Sequence, residues 1–320
     1  MANQLPWMLM LALGASYLLA SSAVSLRRIP GNPRWAGFLL LTVLLFACPL
    51  FVPDQWHNLP RGVVATVTVY FWLKAIDDIS RLQGSGDTRV GGHLWQMLNL
   101  GSLVAAPSHE GVPATPTHDR LREVLVWLAA FAAAGGLLLA AFRVDWRGAS
   151  FLVEHTAKSV GIACLILSSM NLHGALWRLA GVRSLHSPAT ALIACSPAEF
   201  WRRWNRPLGQ WLHCHVFRRV ARPGTRTGAI LITFGVSGLL HEYVIGMITE
   251  RVSGFPTAFF LVQGVAVAAT FGVTIKPRWS LAARALTIAF NVCSSTLLFL
   301  PFNRVMPFYQ NVVPPWLYLR

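Results

Sequence analysis

Charge is what this chain has least of, acidic charge above all. Only 12 % of its 320 residues are charged, and 12 Asp and Glu stand against 27 Lys and Arg. A soluble domain carries about a quarter charged residues, so a water-facing surface of ordinary composition is excluded. Cysteine is also sparse: Cys48, Cys164, Cys195, Cys214 and Cys293, with no Cys-x-x-Cys pair. An odd number at irregular spacing supports neither a disulfide framework nor a zinc site, and buried Cys as a small apolar filler is the default. No Gly-x-Ser-x-Gly elbow occurs, so nothing points to a serine acyl-enzyme of the hydrolase type. There is no internal repeat and no low-complexity tail. Met1 to Pro6 carries no Lys or Arg. The apolar stretch that follows lacks a basic n-region and is longer than an h-region, so it reads as a first transmembrane helix, not a signal peptide.

What fills the chain is apolar: 54 % of it is hydrophobic. A helix that crosses a bilayer needs about 20 such residues. The runs that qualify are Leu5–Leu26, Trp35–Val52, Leu59–Ile76, Leu121–Phe142, Phe151–Trp177, Gly228–Ile248, Phe255–Ile275 and Leu281–Leu300. The expectation is an all-α, polytopic membrane protein of about eight transmembrane helices plus interfacial helices, one domain over residues 1–320. With the amino terminus outside, the basic residues favour the inside loops by roughly threefold, as the positive-inside rule requires. That bias accounts for the net charge of +15 through membrane lipids, and no nucleic-acid partner is needed. A basic cytoplasmic face also suits a phosphate-bearing co-substrate such as coenzyme A. Glu154, His155 and Lys158 stand near the start of the fifth run; either that span begins near Ser159 or these three face a cavity.

Two stretches do not span. Asp77–Arg120 is polar and holds one short apolar run, His93–Ala106, of interfacial length. Arg178–Thr227 is more informative. Ser196-Pro197-Ala198-Glu199 reads as a capping box with proline at the first helical position. From there Trp201, Trp204, Asn205, Leu208, Trp211, Leu212 and His215 fall on one helical face, with Arg202, Arg203 and Arg206 elsewhere, the pattern of a helix lying along a membrane interface. Pro207 disfavours helical geometry at Arg206 and predicts a kink or a split there. Asn205 is then either a structural residue at the kink or a donor aimed at a substrate carbonyl. His213 and His215 flank Cys214, but alternate residues on a helix diverge by about 200°, so no shared metal is expected.

The run Gly228–Ile248 contains Gly235-Val-Ser-Gly-Leu-Leu-His-Glu-Tyr-Val244. His241 lies about 20 Å along this helix from Gly228 at 1.5 Å per residue, with Phe234, Ser237, Gly238 and Ile245 on its face. An ionisable residue at that depth is a functional-site candidate by default; the bland alternative is a histidine satisfied between helices. Glu242 needs its own partner, for which a basic side chain such as Lys74 is available. A neutral imidazole in reach of an alcohol can take its proton as the oxygen attacks a thioester carbon, and a fixed donor can stabilise the charge that grows on the carbonyl oxygen.

Phe200-Trp201-x-x-Trp204-Asn205, followed after a basic loop by Val236-Ser237-Gly238-Leu239-x-His241-Glu242, resembles the paired motifs of the membrane-bound O-acyltransferase family, most closely its wax synthase branch. His241-Glu242-Tyr243 is also similar to the sterol and diacylglycerol acyltransferases. The motif region is 196–244. The resemblance implies helices around an intramembrane tunnel, with acyl-CoA entering from the cytoplasm as co-substrate and no bound cofactor, and a lipophilic hydroxyl acceptor arriving from the lipid or the far side. It implies His241 as catalytic base and Asn205 as its partner; Trp201, Trp204, Ser237 and Glu242 are the candidate substrate-binding residues. Long-chain alcohols are the first expectation for the acceptor, followed by a terpenoid or other specialised metabolite, or a glycan. Glu154, His155, Lys158 and Glu242 are also what a transporter or flippase would use as a relay. Compactness and the lack of an endoplasmic-reticulum retention signal suggest a bacterial inner membrane.

Overall fold

A computed structural model of the chain describes residues 5–26, 32–52, 58–80, 97–99, 103–104, 117–181 and 189–311. Among them there are helices and connecting turns, and no strand. The apolar runs become α1 (Leu5–Leu26), α2 (Asn32–Ala47), α3 (Leu59–Ser80), α4 (Thr117–Arg143) and α5 (Phe151–Leu179). Two short helices follow, α6 (Pro197–Arg203) and α7 (Arg206–Leu212), then α8 (Arg226–Thr249), α9 (Phe255–Thr270) and α10 (Ser280–Phe299). Among the described residues, six helices are long and apolar enough to cross a membrane: α1, α2, α4, α5, α8 and α10.

Of the eight expected runs, α3 and α9 do not meet that length and apolarity. α3 has the length, at 22 residues, but Arg61, Lys74, Asp77 and Asp78 interrupt its apolarity. It tolerates them because it is enclosed by α1, α2 and α8, with Arg61, Lys74 and Asp77 buried. α9 stops at 16 residues and packs on α6, α8 and α10. A helix wrapped in protein needs neither full span length nor a lipid-compatible surface. The run His93–Ala106 falls mostly outside the described residues.

Close helix approach is set by small residues. A Cβ on Gly238 of α8 would come within 3.0 Å of the Thr257 backbone on α9. One on Gly264 of α9 would meet Phe234 at 2.9 Å. α1 and α3 share a bond between the Ser16 and Thr68 hydroxyls at 3.0 Å, and the Trp72 indole donates to Thr42 on α2 at 3.0 Å.

The acid–base group at the start of α5 is an anchor. α5 begins at Phe151, and Glu154, His155 and Lys158 are all 0 % exposed. Lys158 Nζ donates to Glu154 Oε1 at 2.6 Å and also to the Phe308 carbonyl. The Glu154 carboxylate accepts from the Gln310 and Asn311 backbone at 2.8 and 3.1 Å and from Asn311 Nδ2 at 3.0 Å. His155 Nε2 lies 2.7 Å from the Val292 carbonyl, which can only accept, so Nε2 carries the hydrogen. Nδ1 then accepts from Tyr309 Oη at 2.7 Å. Burial, with the Glu154 charge beside it, pushes the Tyr309 phenol well above its ordinary range, which keeps that hydrogen in place. The three side chains fasten residues 308–311 to α5 and α10. Removing one partner of a buried pair leaves an uncompensated charge. Lys158→Met is therefore expected to destabilise the protein by about 3 kcal/mol, read as an earlier thermal unfolding transition in detergent together with faster proteolysis after Arg304.

Candidate active site

The interfacial segment is two helices, not one. Ser196 caps α6, its Oγ accepting from Glu199 N at 3.1 Å, with Pro197 in the first turn. The Glu199 carboxylate accepts from Cys195 N at 2.6 Å and pairs with Arg203. The helix stops at Trp204, whose backbone is extended, and Asn205 takes a left-handed conformation with φ 39° and ψ 57°. Asn is among the few side chains that accept this region readily. Asn205 Oδ1 then accepts from Leu208 N at 3.3 Å and caps α7, with Pro207 in its first turn. The break precedes the position the proline predicts, so the single face drawn from Trp201 to His215 is interrupted at Trp204. Asn205 Nδ2 donates to Tyr70 Oη of α3 at 3.4 Å.

Beyond the break, α7 runs into a π-helical turn, His213–Phe217. Trp211 Nε1 donates to the Leu73 carbonyl at 2.8 Å, and His215 Nε2 lies 2.8 Å from Asp77 Oδ1. Both partners are on α3. His213 instead stacks on Phe217, so the two histidines face different neighbours.

His241 stands on α8 with Nδ1 2.8 Å from the carbonyl of Ser237, one turn earlier. A carbonyl only accepts, so Nδ1 carries the hydrogen and Nε2 of the neutral ring presents its lone pair. Among the described residues nothing bonds Nε2, and packing does not seal it. Phe260 of α9 lies across the imidazole with ring centroids 4.2 Å apart. Ser237 thus contributes its carbonyl to the site.

Glu242 does not pair with a basic side chain. Its Oε1 accepts from Ser253 N and Gly254 N, each at 2.7 Å, and Oε2 from Thr257 N at 3.2 Å and Thr257 Oγ1 at 3.0 Å. These are the otherwise unpaired N–H groups at the start of α9. The carboxylate is an N-terminal clamp on the helix that carries Phe260.

Trp201 reaches the same helix. Its Nε1 donates to Gln263 Oε1 at 2.9 Å, and its ring packs on Phe234 and Phe260 with centroids 5.3 and 5.6 Å away. Gln263, 1 % exposed, continues through Nε2 to Ser294 Oγ at 2.9 Å and Asn291 Oδ1 at 3.3 Å on α10. Trp204 stacks on Phe200. Phe260 therefore joins His241 to Trp201. No hydrogen bond joins Asn205 to His241. Residues near each in the chain share one core, in which Leu240 packs with Trp211, Leu212, Val69 and Leu73, and Tyr70 and Leu208 lie against it. Sequence reasoning missed Tyr70, Phe260 and Gln263. An isolated polar residue in an apolar helix was the available signal for Gln263; an aromatic among aromatics gives none for Phe260.

The chain is similar over part of its length to named acyltransferases. It is 35 % identical over 120 residues to a probable long-chain-alcohol O-fatty-acyltransferase 8 of Arabidopsis thaliana, covering 33 % of this chain and 36 % of that protein. It is 33 % identical over 124 residues to a long-chain-alcohol O-fatty-acyltransferase of Simmondsia chinensis, covering 34 % and 35 %. A 50-residue stretch is 42 % identical to diacylglycerol O-acyltransferase 1 of Corylus americana, 15 % of this chain and 9 % of that one. The matched region thus spans about a third of the length of the first two relatives. All three are plant proteins, which lends no support to the expected bacterial inner membrane. A multi-pass protein of the membrane is what the apolar helices describe. Residues 121–300, more than half of the sequence and including both motif segments, match the family model described as MBOAT, and the chain belongs to the membrane-bound O-acyltransferase family.

Proposed function

We propose that the protein transfers an acyl group from acyl-CoA to the hydroxyl of a lipophilic alcohol, a long-chain alcohol in the first instance, with His241 as general base. The observation that carries this reading is the state of the His241 ring: Nδ1–H is held by the Ser237 carbonyl, and Nε2 is open and unpartnered among the described residues. The acceptor O–H gives its proton to Nε2 as its oxygen attacks the thioester carbon. The bond to Ser237 steadies the imidazolium that forms. The carbonyl oxygen takes the charge, with Asn205 as the donor assigned to it. The C–S bond then breaks and Nε2–H returns the proton to the thiolate. The names of the relatives support the acceptor class.

In this reading Trp201, Trp204 and Phe260 form the aromatic wall against the substrate. Glu242 is a positioning residue: its carboxylate is taken by the start of α9. A terpenoid or glycan hydroxyl would meet the same base. The groups that a transporter would use as a relay are held by helix ends and by residues 308–311.

His241→Ala is expected to lower ester formation by about 10²–10⁴-fold while the protein still inserts. Membranes given labelled palmitoyl-CoA and a pool of hexadecanol, sterol, diacylglycerol and terpenoid alcohols, with esters read by mass spectrometry, test this. Normal turnover in the variant would end the proposal. Glu242→Ala is expected to cost about 2–3 kcal/mol of stability, the scale of hydrogen bonds to a charged group. Glu242→Gln should recover part of that, since an amide oxygen still accepts; unfolding midpoints of the two variants compare them.

A further inference from the structure

Tyr70 lies on α3, upstream of the residues that match the family model, and no motif draws attention to it. Its hydroxyl has lone pairs to accept with and one hydrogen to give. Asn205 Nδ2 donates into the lone pairs at 3.4 Å. The hydrogen is not used, since Tyr70 donates to no described residue. The Asn205 amide is meanwhile fixed at both ends, Oδ1 by Leu208 N–H and Nδ2 by Tyr70. One Nδ2 hydrogen and the Tyr70 hydrogen are left to give.

The phenol ring packs on the core that contains Leu240, the residue before His241, and Leu208, whose N–H Asn205 caps, lies against the same core. α3 therefore presents a hydroxyl to the same interior that α7 and α8 border. Accepting a hydrogen bond polarises a hydroxyl and makes it a stronger donor in turn. A donor of that kind is suited to an oxygen that gains charge during reaction.

We infer that Tyr70 is a catalytic residue, the second donor to the thioester carbonyl oxygen beside Asn205. The inference rests on the acyl-transfer reading above. Its chemistry balances without a further reactant. The acceptor oxygen forms the C–O bond, the carbonyl electrons move to oxygen under the two donors, and their return expels the thiolate, which takes the proton held by His241. The Tyr70 proton stays on its own oxygen throughout.

The test uses the full chain in lipid nanodiscs. Tyr70→Phe is expected to lower kcat by about 10²-fold, the scale of one lost oxyanion donor, with KM for acyl-CoA changed by no more than about twofold. Combined with Asn205→Ala, its effect should be smaller than the product of the two single effects, because the donors are coupled. Two analogues separate a donor from a structural prop: an S-alkyl-CoA thioether, which has no carbonyl, and an S-(2-oxoalkyl)-CoA ketone, which has one. Wild type should favour the ketone, and Tyr70→Phe should lose that preference while binding the thioether as before. Wild-type turnover in Tyr70→Phe, or equal weakening toward both analogues, would overturn the inference. If neither analogue binds the wild type, or if His241→Ala keeps its turnover, the acyl-transfer reading itself falls.

Discussion

A buried carboxylate needs hydrogen-bond donors, and the first N–H groups of a helix need acceptors. Glu242 and α9 answer each other. The carboxylate accepts from Ser253, Gly254 and Thr257 at the beginning of α9, so two groups costly to bury alone are satisfied together. The turn that permits this has Glu250 and Gly254 in the left-handed region, at φ 56° and 76°. Drawn in by this clamp, α9 lies against α8 closely enough that Gly238 has no room for a side chain. Phe260 is then placed over His241, and Gln263 within reach of Trp201 and α10.

The same rule shapes the opposite wall. The chain breaks between α6 and α7 because Asn205 adopts a conformation closed to most residues, and its own side chain satisfies the helix it starts. The polar face of α3 then meets α7 and the π-helical turn, through Tyr70 to Asn205, Leu73 to Trp211 and Asp77 to His215. The polar residues that deny α3 a simple spanning composition include those that join it to the site. An apolar α3 would pass more easily through lipid and would bring nothing to Asn205.

This contrast explains what the sequence could and could not convey. Helices are written in local runs, so α1, α5, α8 and α10 begin or end within a few residues of their apolar segments. The cap at Ser196 is local and legible too. Pro207 announced a break, but Asn205 placed it, and nothing in composition ranks those two residues. The partner of Glu242 was illegible because it is backbone: Ser253 and Gly254 donate N–H groups that every non-proline residue has. Tyr70 was illegible for a different reason. It meets Asn205 across 135 positions of chain, and no periodicity reports a contact at that range. His241 and Asn205 stood out because polar residues are rare where they lie and because both sit in the paired motifs.

Three buried or partly buried histidines show why placement, not residue type, separates chemistry from structure. His155 has both nitrogens taken, one by the Val292 carbonyl and one by Tyr309, and it can neither receive nor release a proton without breaking a bond. His215 has Nε2 on Asp77, and its Nδ1, though unpartnered, is sealed under packing that includes the Trp211 ring. No substrate reaches it. His241 alone of the three combines one nitrogen fixed by a carbonyl with one that is unpartnered and unsealed. Leaving a nitrogen open is costly where water is scarce. In the proposed reaction a substrate hydroxyl would complete that bond at the histidine under Phe260.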